Sequence, residues 1–379
     1  MPTPHLIVTG LLSGLCLAGP VQAASSITLY GIVDAGYGYT QYRYQQGDSA
    51  ARATTSGVRS GYLKSSRFGL KGTEDLGDGS RALFLLEQEF NLGDGTAKAN
   101  HAFSKKAYLG LSNERWGTLT LGRQKSISDQ FISVNTTRSL GKATRAFGGA
   151  GVTRDNMFQY VSPAWSGLQF GVGYAADGAI LRHSPDIDAD ADRTHFLSTG
   201  VRYRQGPLRL SATLDRERAN DKNGHARSYA VTNWVLAGSY DFDVVRLTLA
   251  YGQDRNGKLK KPGDISSKTF GGHAPTGLGD YNNPGFRSHN YYLGLSAPLG
   301  GGRLGLTWSH TASNLDDVYA DLHPGQTLAT AKQNIYAAVF TYPLSRRTTA
   351  YSYASYGTGL AYLADLTGVE AGLAIQHRF

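Results

Sequence analysis

Polar and apolar residues alternate with a two-residue period along most of this chain. At its end, Val369, Ala371, Leu373, Ile375, His377 and Phe379 fall on one side of an extended backbone, and Glu370, Gly372, Ala374, Gln376 and Arg378 on the other. The same period marks 27–42, 61–74, 81–90, 103–112, 116–124, 156–162, 168–175 and 195–204. It returns at 208–215, 230–242, 245–251, 289–299, 304–311, 334–343 and 348–356. With the terminal segment the pattern predicts about sixteen β-strands.

Connection lengths decide how those strands are arranged. Tight turns at 78–79, 113–115, 205–207, 241–243, 300–302 and 344–346 interleave with longer polar stretches at 43–60, 91–102, 178–193, 216–228, 252–287 and 312–331. Short and long connections in alternation place all the turns on one rim and all the loops on the other. An even number of such strands is the organisation of an all-β transmembrane antiparallel barrel, with short periplasmic turns and long extracellular loops. Closing the sheet leaves no edge, so every backbone donor and acceptor inside the hydrocarbon layer is satisfied.

Composition agrees. The chain has 48 Gly, 23 Tyr and 14 Phe among 379 residues, a turn-rich and aromatic inventory. Only 40% of it is hydrophobic, as expected where lipid-facing and lumen-facing residues alternate. No apolar stretch reaches the roughly 18 residues of a transmembrane helix, which excludes a helical membrane protein. No linker or repeat divides 24–379, which is read as a single domain.

The apolar run 6–19 is too short to span a bilayer, and it leads into Val21-Gln22-Ala23, a small-residue cleavage pattern. Residues 1–23 are therefore expected to be a removable signal peptide. Cys16, the only cysteine, lies inside it. The alternative of a lipid-attachment site is disfavoured by Leu15, which stands where a small residue belongs. The mature chain is expected to carry no thiol, no disulfide, no cysteine-ligated metal and no cofactor.

Four blocks carry a more specific likeness. They are Ser26-Ile27-Thr28-Leu29-Tyr30-Gly31-Ile32-Val33-Asp34-Ala35-Gly36, Ser66-Arg67-Phe68-Gly69-Leu70-Lys71-Gly72-Thr73-Glu74-Asp75-Leu76-Gly77, Ala107-Tyr108-Leu109-Gly110-Leu111-Ser112 and Gly117-Thr118-Leu119-Thr120-Leu121-Gly122-Arg123-Gln124. In this order, and with a terminal Phe379, the chain resembles the Gram-negative general porins, the β-proteobacterial kind in particular. The resemblance implies an outer-membrane homotrimer of 16-stranded barrels, each a water-filled pore for small anionic or neutral solutes. It also implies a third long loop folded inward as a constriction, and a C-terminal strand ending at Phe379 that the barrel-insertion machinery reads. Outer-membrane lipids and lipopolysaccharide are the implied surroundings.

The residues support the loop assignment. Residues 125–153 lack alternation yet contain Phe131, Ile132, Val134, Leu140 and Phe147, which a wholly exposed loop has little reason to carry. An ordinary extracellular loop with a few anchoring side chains is the alternative. Between 126 and 150 the charges are Asp129 against Arg138, Lys142 and Arg145. The family's loop carries more acid, and its Pro-Glu-Phe type turn is missing here.

Parity assigns the opposing wall. If Phe68 and Leu70 meet lipid, Arg67 and Lys71 face the lumen, and Arg81 shares that face beside Leu83, Leu85, Glu87 and Glu89. By resemblance, Arg67, Arg123 and Arg154 form the basic ladder of the pore. Arg123 shares parity with Leu119 and Leu121, so its lumen placement rests on the resemblance, unless a bulge or the strand end redirects it. The alternative for any one of these arginines is a solvated charge with no role in selectivity.

The formal net charge of +9 suggests anionic partners. Its arginines are spread over strands rather than clustered, with Arg202, Arg204, Arg209, Arg246 and Arg303 opposite the more apolar faces, which argues against nucleic acid and for an anion-attracting lumen. Gly300-Gly301-Gly302-Arg303-Leu304-Gly305 fits a dinucleotide fingerprint, but a strand follows where a helix is required. Asp186, Asp188, Asp190 and Asp192 start like a calcium loop, yet Ala191 replaces the glycine and Leu197 the glutamate. A solvated acidic loop is the preferred reading over a weak divalent site, and no metal is assigned. His195, His289, His310 and His377 lie on separate strands with no paired acid, so no catalytic residue and no enzyme is expected. A substrate-specific channel remains the alternative to a general pore.

Overall fold

The computed structural model describes residues 26–46, 49–97, 101–132, 152–177, 194–219, 229–256, 285–315, 331–363 and 365–379. The expected signal peptide, Cys16, Arg138, Lys142, Arg145 and Asp186 to Asp192 lie outside them. The first seven strands are β1 (Ser26–Gln46), β2 (Ser49–Ser60), β3 (Arg67–Gly77), β4 (Ser80–Glu89), β5 (Lys106–Asn113), β6 (Gly117–Lys125) and β7 (Thr153–Val161). Five more follow: β8 (Leu168–Asp177), β9 (Thr194–Gln205), β10 (Leu208–Ala219), β11 (Tyr229–Asp241) and β12 (Arg246–Arg255). The last are β13 (Arg287–Leu299), β14 (Gly302–Ser313), β15 (Lys332–Pro343), β16 (Thr348–Thr358) and β17 (Thr367–Arg378). Among the described residues one α-helix, α1 (Ile127–Phe131), opens the connection after β6.

All strands join one antiparallel sheet that closes on itself. Along one edge, β1 pairs with β17 from Ile32↔Arg378 to Arg43↔Thr367. Its other edge pairs with β3 between Ser26↔Thr73 and Ile32↔Arg67, then with β2 between Ala35↔Ser60 and Gln46↔Ser49. Thus β2 and β3 are two halves of one barrel strand, and the barrel has sixteen. The seam closes at the terminus, where the Gly31 and Phe379 backbones exchange hydrogen bonds of 3.0 and 3.2 Å.

Two departures from the sequence reading arise here. Residues 43–60, expected to be a loop, lie mostly in the β1–β2 hairpin. Polar residues on both its faces hide the period, because a hairpin extending past the hydrocarbon layer needs no apolar face. Residues 61–66, expected to be strand, leave the sheet and fold inward. Gly61 adopts φ +75° and donates its N–H to the Asp34 carbonyl at 2.7 Å. Tyr62 packs on Tyr353 with ring centroids 4.6 Å apart, and the Leu63 N–H donates to the Tyr351 hydroxyl at 3.2 Å. Asp34, fully buried, accepts from the Tyr351 hydroxyl at 2.6 Å, the Gln376 amide at 2.8 Å and the Lys64 N–H at 3.1 Å.

The outer face is apolar, with Leu109, Leu121, Leu210, Leu249, Leu373 and Ile375 all exposed. Aromatic contacts gather towards the short-turn rim, as in Trp165–Phe170 at 5.8 Å and Tyr240–Phe242 at 4.5 Å, and again towards the long-loop rim. These are the interfacial girdles of a spanning barrel. Among the described residues no helix is long and apolar enough to cross a membrane.

Candidate functional site: the barrel lumen

The lumen is occupied on one side by α1, which starts the third connection on the long-loop rim. Ser126 caps it, its hydroxyl accepting from the Asp129 N–H at 3.3 Å. Ile127 and Phe131 are 0% and 1% exposed, packed on the inner wall of β8 and β9. A methyl group placed on Gly171 would stand 2.6 Å from Ile127 Cδ1 and 3.1 Å from Phe131 Cζ, so the wall is hollowed to seat the helix. A polar anchor completes the seat. Asp215 of β10 accepts from the Ser128 hydroxyl and, at 2.5 Å, from the Ser198 hydroxyl, while the Ser128 N–H donates to Ser198 Oγ at 3.3 Å. The apolar residues of this connection thus face the barrel wall as expected, as far as Ile132; 133–151 lie outside the described residues.

Charged side chains surround this seat in pairs. Arg67 Nε lies 3.3 Å from Glu87, which also accepts from the Tyr30 hydroxyl at 2.8 Å. Lys105 meets Glu89 at 3.1 Å, and Lys125 pairs with Asp129 of α1. Lys106 stands in the field of Glu87, Lys125, Arg67 and Asp129. Arg154 pairs with Glu217 at 2.5 Å and its guanidinium carbon lies 4.6 Å over the Phe196 ring. Arg202 stacks 4.5 Å over the Phe131 ring and donates to Gln169 Oε1 at 2.9 and 2.7 Å.

Of the five basic positions singled out from sequence, Arg67 and Arg154 stand around α1. Lys71 and Arg81 share the lumen face of Arg67, but further down the wall: Arg67 opposes Glu89, whereas Arg81 opposes Asp75 beside the short turn. Arg123 sits elsewhere. Its register pairs it with Ala107, in line with Leu109 and Leu121, which are 62% and 54% exposed. The β6–β7 register does shift between Gly122 and Gln124, yet Arg123 bonds the Ser104 carbonyl at 2.8 Å and pairs with Asp155. Lys105, Lys106 and Lys125 were not singled out. Parity offered the signal for Lys106, which shares a face with Tyr108 and Gly110 opposite Leu109 and Leu111.

Towards the short-turn rim the pairing gives way to an excess of cations. Lys71, Arg81, Arg204, Arg209, Arg246, Arg303 and Arg378 occupy lumen-facing strand positions there, and the carboxylates at such positions are Asp75 and Asp241. Asp241 is bonded by Arg246 Nε at 3.0 Å. Arg204 and Arg209 oppose each other directly across β9 and β10.

The chain that forms this closed sixteen-stranded barrel matches a known family model, described as Gram-negative porin, over residues 9–360. The chain belongs to the Gram-negative porin family. An outer membrane porin protein of Bordetella pertussis is 35% identical to it, with 99% of each chain covered. Outer membrane porin protein 32 of Delftia acidovorans is 31% identical over 76% of this chain and 75% of its own. Among solved structures, an anion-selective porin from Comamonas acidovorans superposes with TM-score 0.67 at 24% identity, covering 94% of this chain and all of that one. The outer membrane channel DcaP of Acinetobacter baumannii gives TM-score 0.62 at 14% identity. This porin therefore resides in the outer membrane, and the lumen just described is its channel.

Proposed function

We propose that the porin is an anion-preferring diffusion channel for small hydrophilic solutes and ions, working as a homotrimer and without enzymatic activity. The observation that carries the preference is the excess of seven cations over two carboxylates at lumen-facing strand positions near the short-turn rim. Between low-dielectric walls such an excess raises the local concentration of anions and lowers that of cations. Around α1 the ion pairs leave the balance among the described residues closer to neutral, so Arg67, Arg154 and Asp129 shape the field there rather than set its overall sign. The relatives' channel function supports transport over catalysis. The short Phe379–Gly31 pairing at the seam supports a role for the terminal strand in recognition by the insertion machinery.

Zero-current potentials across a potassium chloride gradient in planar bilayers test the reading. We expect the sign of chloride preference, with insertion currents grouped in threes. A potassium preference overturns the selectivity, and single ungrouped steps overturn the trimer.

A further inference from the structure

Two elements fold into the lumen, on opposite walls. α1 sits on β8, β9 and β10. The segment 61–66, where the strand shared by β2 and β3 leaves the sheet, sits on the other side. Its Tyr62 and Leu63 pack on a buried cluster of Val339, Tyr351, Tyr353 and Ala374, from β15, β16 and β17. Counted around the barrel, β17 and β9 are eight strands apart out of sixteen, so the two seats are diametrically opposed.

The second seat is fitted to its occupant. A methyl group on Gly38 of β1 would overlap the Tyr62 hydroxyl, and one on Gly372 of β17 would stand 2.6 Å from the Tyr353 hydroxyl, so the wall is hollowed beneath these rings. Asp34 fastens the backbone. Its carboxylate accepts from the Lys64 N–H at 3.1 Å, and its carbonyl accepts from the Gly61 N–H at 2.7 Å and the Ser66 hydroxyl at 3.0 Å. Within the segment Lys64 alone is exposed, which puts its side chain in the lumen rather than on the wall. A charged row links the segment to α1 along one arc. Arg67 donates to the Ser65 carbonyl at 3.2 Å and faces Glu87 at 3.3 Å, Lys106 stands in the field of Glu87, Lys125, Arg67 and Asp129, and Lys125 pairs with Asp129. Because the row runs from one seat to the other, both lie at one level of the channel. Past α1, on the opposite arc, the wall beside Ile132 is Val235, Ala237, Ala250 and Tyr292, without charge.

We propose that 61–66 is the second jaw of the channel's narrow zone, and that Tyr62 and Lys64 are specificity-determining residues. Tyr62, wedged into the Gly38 hollow, holds the segment off the wall and so fixes the short dimension of a slot between two jaws. Lys64 adds a positive charge on the jaw that faces α1. Compact anions then pass along the arc of Arg67, Lys106 and Lys125, while bulky neutral solutes meet a barrier from both sides. Removing either jaw's support relaxes the size limit, but only the second jaw carries Lys64. The proposal rests on the channel reading given above.

The test uses the full chain in planar bilayers and in liposomes. Lys64→Cys should give a channel whose current falls stepwise when a negatively charged thiosulfonate reagent is added, while the native channel keeps its current. Tyr62→Ala with Leu63→Ala should raise the uptake of a trisaccharide relative to a pentose about fivefold in liposome swelling, since size selection follows pore cross-section. Tyr62→Phe, which fills the same hollow, should keep the native ratio. Lys64→Gln should lower the chloride-to-potassium permeability ratio about twofold at 0.1 M salt and leave it unchanged near 1 M, where the screening length is about 3 Å. A thiol at position 64 that does not react, or reacts without loss of current, overturns the lumen placement. A native uptake ratio in the alanine variant overturns the jaw, and an unchanged permeability ratio in Lys64→Gln overturns the role of its charge. An equal rise in the phenylalanine and alanine variants would assign the effect to damaged structure and also overturn the jaw. Failure of the channel reading would appear separately, as absent conductance in the native protein.

Discussion

Phe131→Ala should unseat the helix that narrows the lumen. The Phe131 side chain is 1% exposed, faces the hollow at Gly171 and lies 4.5 Å beneath the Arg202 guanidinium. Burial of Ile127 and Phe131 contributes about 1.5–3 kcal/mol each to holding α1 on the wall. Replacing a buried phenylalanine by alanine removes about 3–5 kcal/mol including the cavity left behind, and the lost cation–π contact adds about 0.5–2 kcal/mol. Even a loss of about 3 kcal/mol shifts the ratio of docked to undocked α1 by about 150-fold, since each 1.4 kcal/mol is a factor of ten. The barrel itself should persist, because its ladders do not involve Phe131. Single-channel recordings should then show frequent excursions to higher conductance and increased open-channel noise. Leu109→Ala on the outer face serves as the control and should change neither. Native conductance and native noise in a folded Phe131→Ala channel would refute the idea that apolar burial holds the loop inside.

Arg154→Ala should reduce chloride preference only modestly, because Glu217 loses its partner and becomes an uncompensated charge at the same place; Arg154→Ala with Glu217→Gln should restore the native zero-current potential. Removing Arg209 and Arg303 together should reduce it more, and the effect should fade as salt rises from 0.1 to 1 M, where the screening length drops from about 10 to about 3 Å. Arg123→Ala should leave the potential unchanged, and a shift as large as that of Arg209→Ala would return Arg123 to the lumen. At the seam, a side chain on Gly31 would come within 2.3 Å of the Phe379 ring and 2.8 Å of the Arg67 carbonyl, so Gly31→Val, like deletion of Phe379, should lower surface abundance while secretion continues. Normal surface abundance of both variants, read by surface labelling, would remove the seam from the assembly argument.

Much of this protein is legible in its period of two. Residues such as Leu109 and Leu121 against Tyr108 and Thr120 declare which face meets lipid, and the rhythm of turns and loops declares which rim is which, because lipid and water demand opposite side chains on every spanning strand. Strand number followed from the same source. Polar–polar alternation carried no such signal, so the β1–β2 hairpin beyond the membrane read as a loop, and the inward fold of 61–66 read as strand. The positions of Arg67, Lys71 and Arg81 on one face were local facts of parity, but their heights on the wall were not, since height depends on which residue of the neighbouring strand each one opposes. Likewise nothing local joins Arg154 to Glu217, Phe131 to Arg202, or Ser128 to Asp215. Those contacts exist because closure of the sheet brings distant strands to one lumen, where burial pairs each charge with whatever the register sets opposite it.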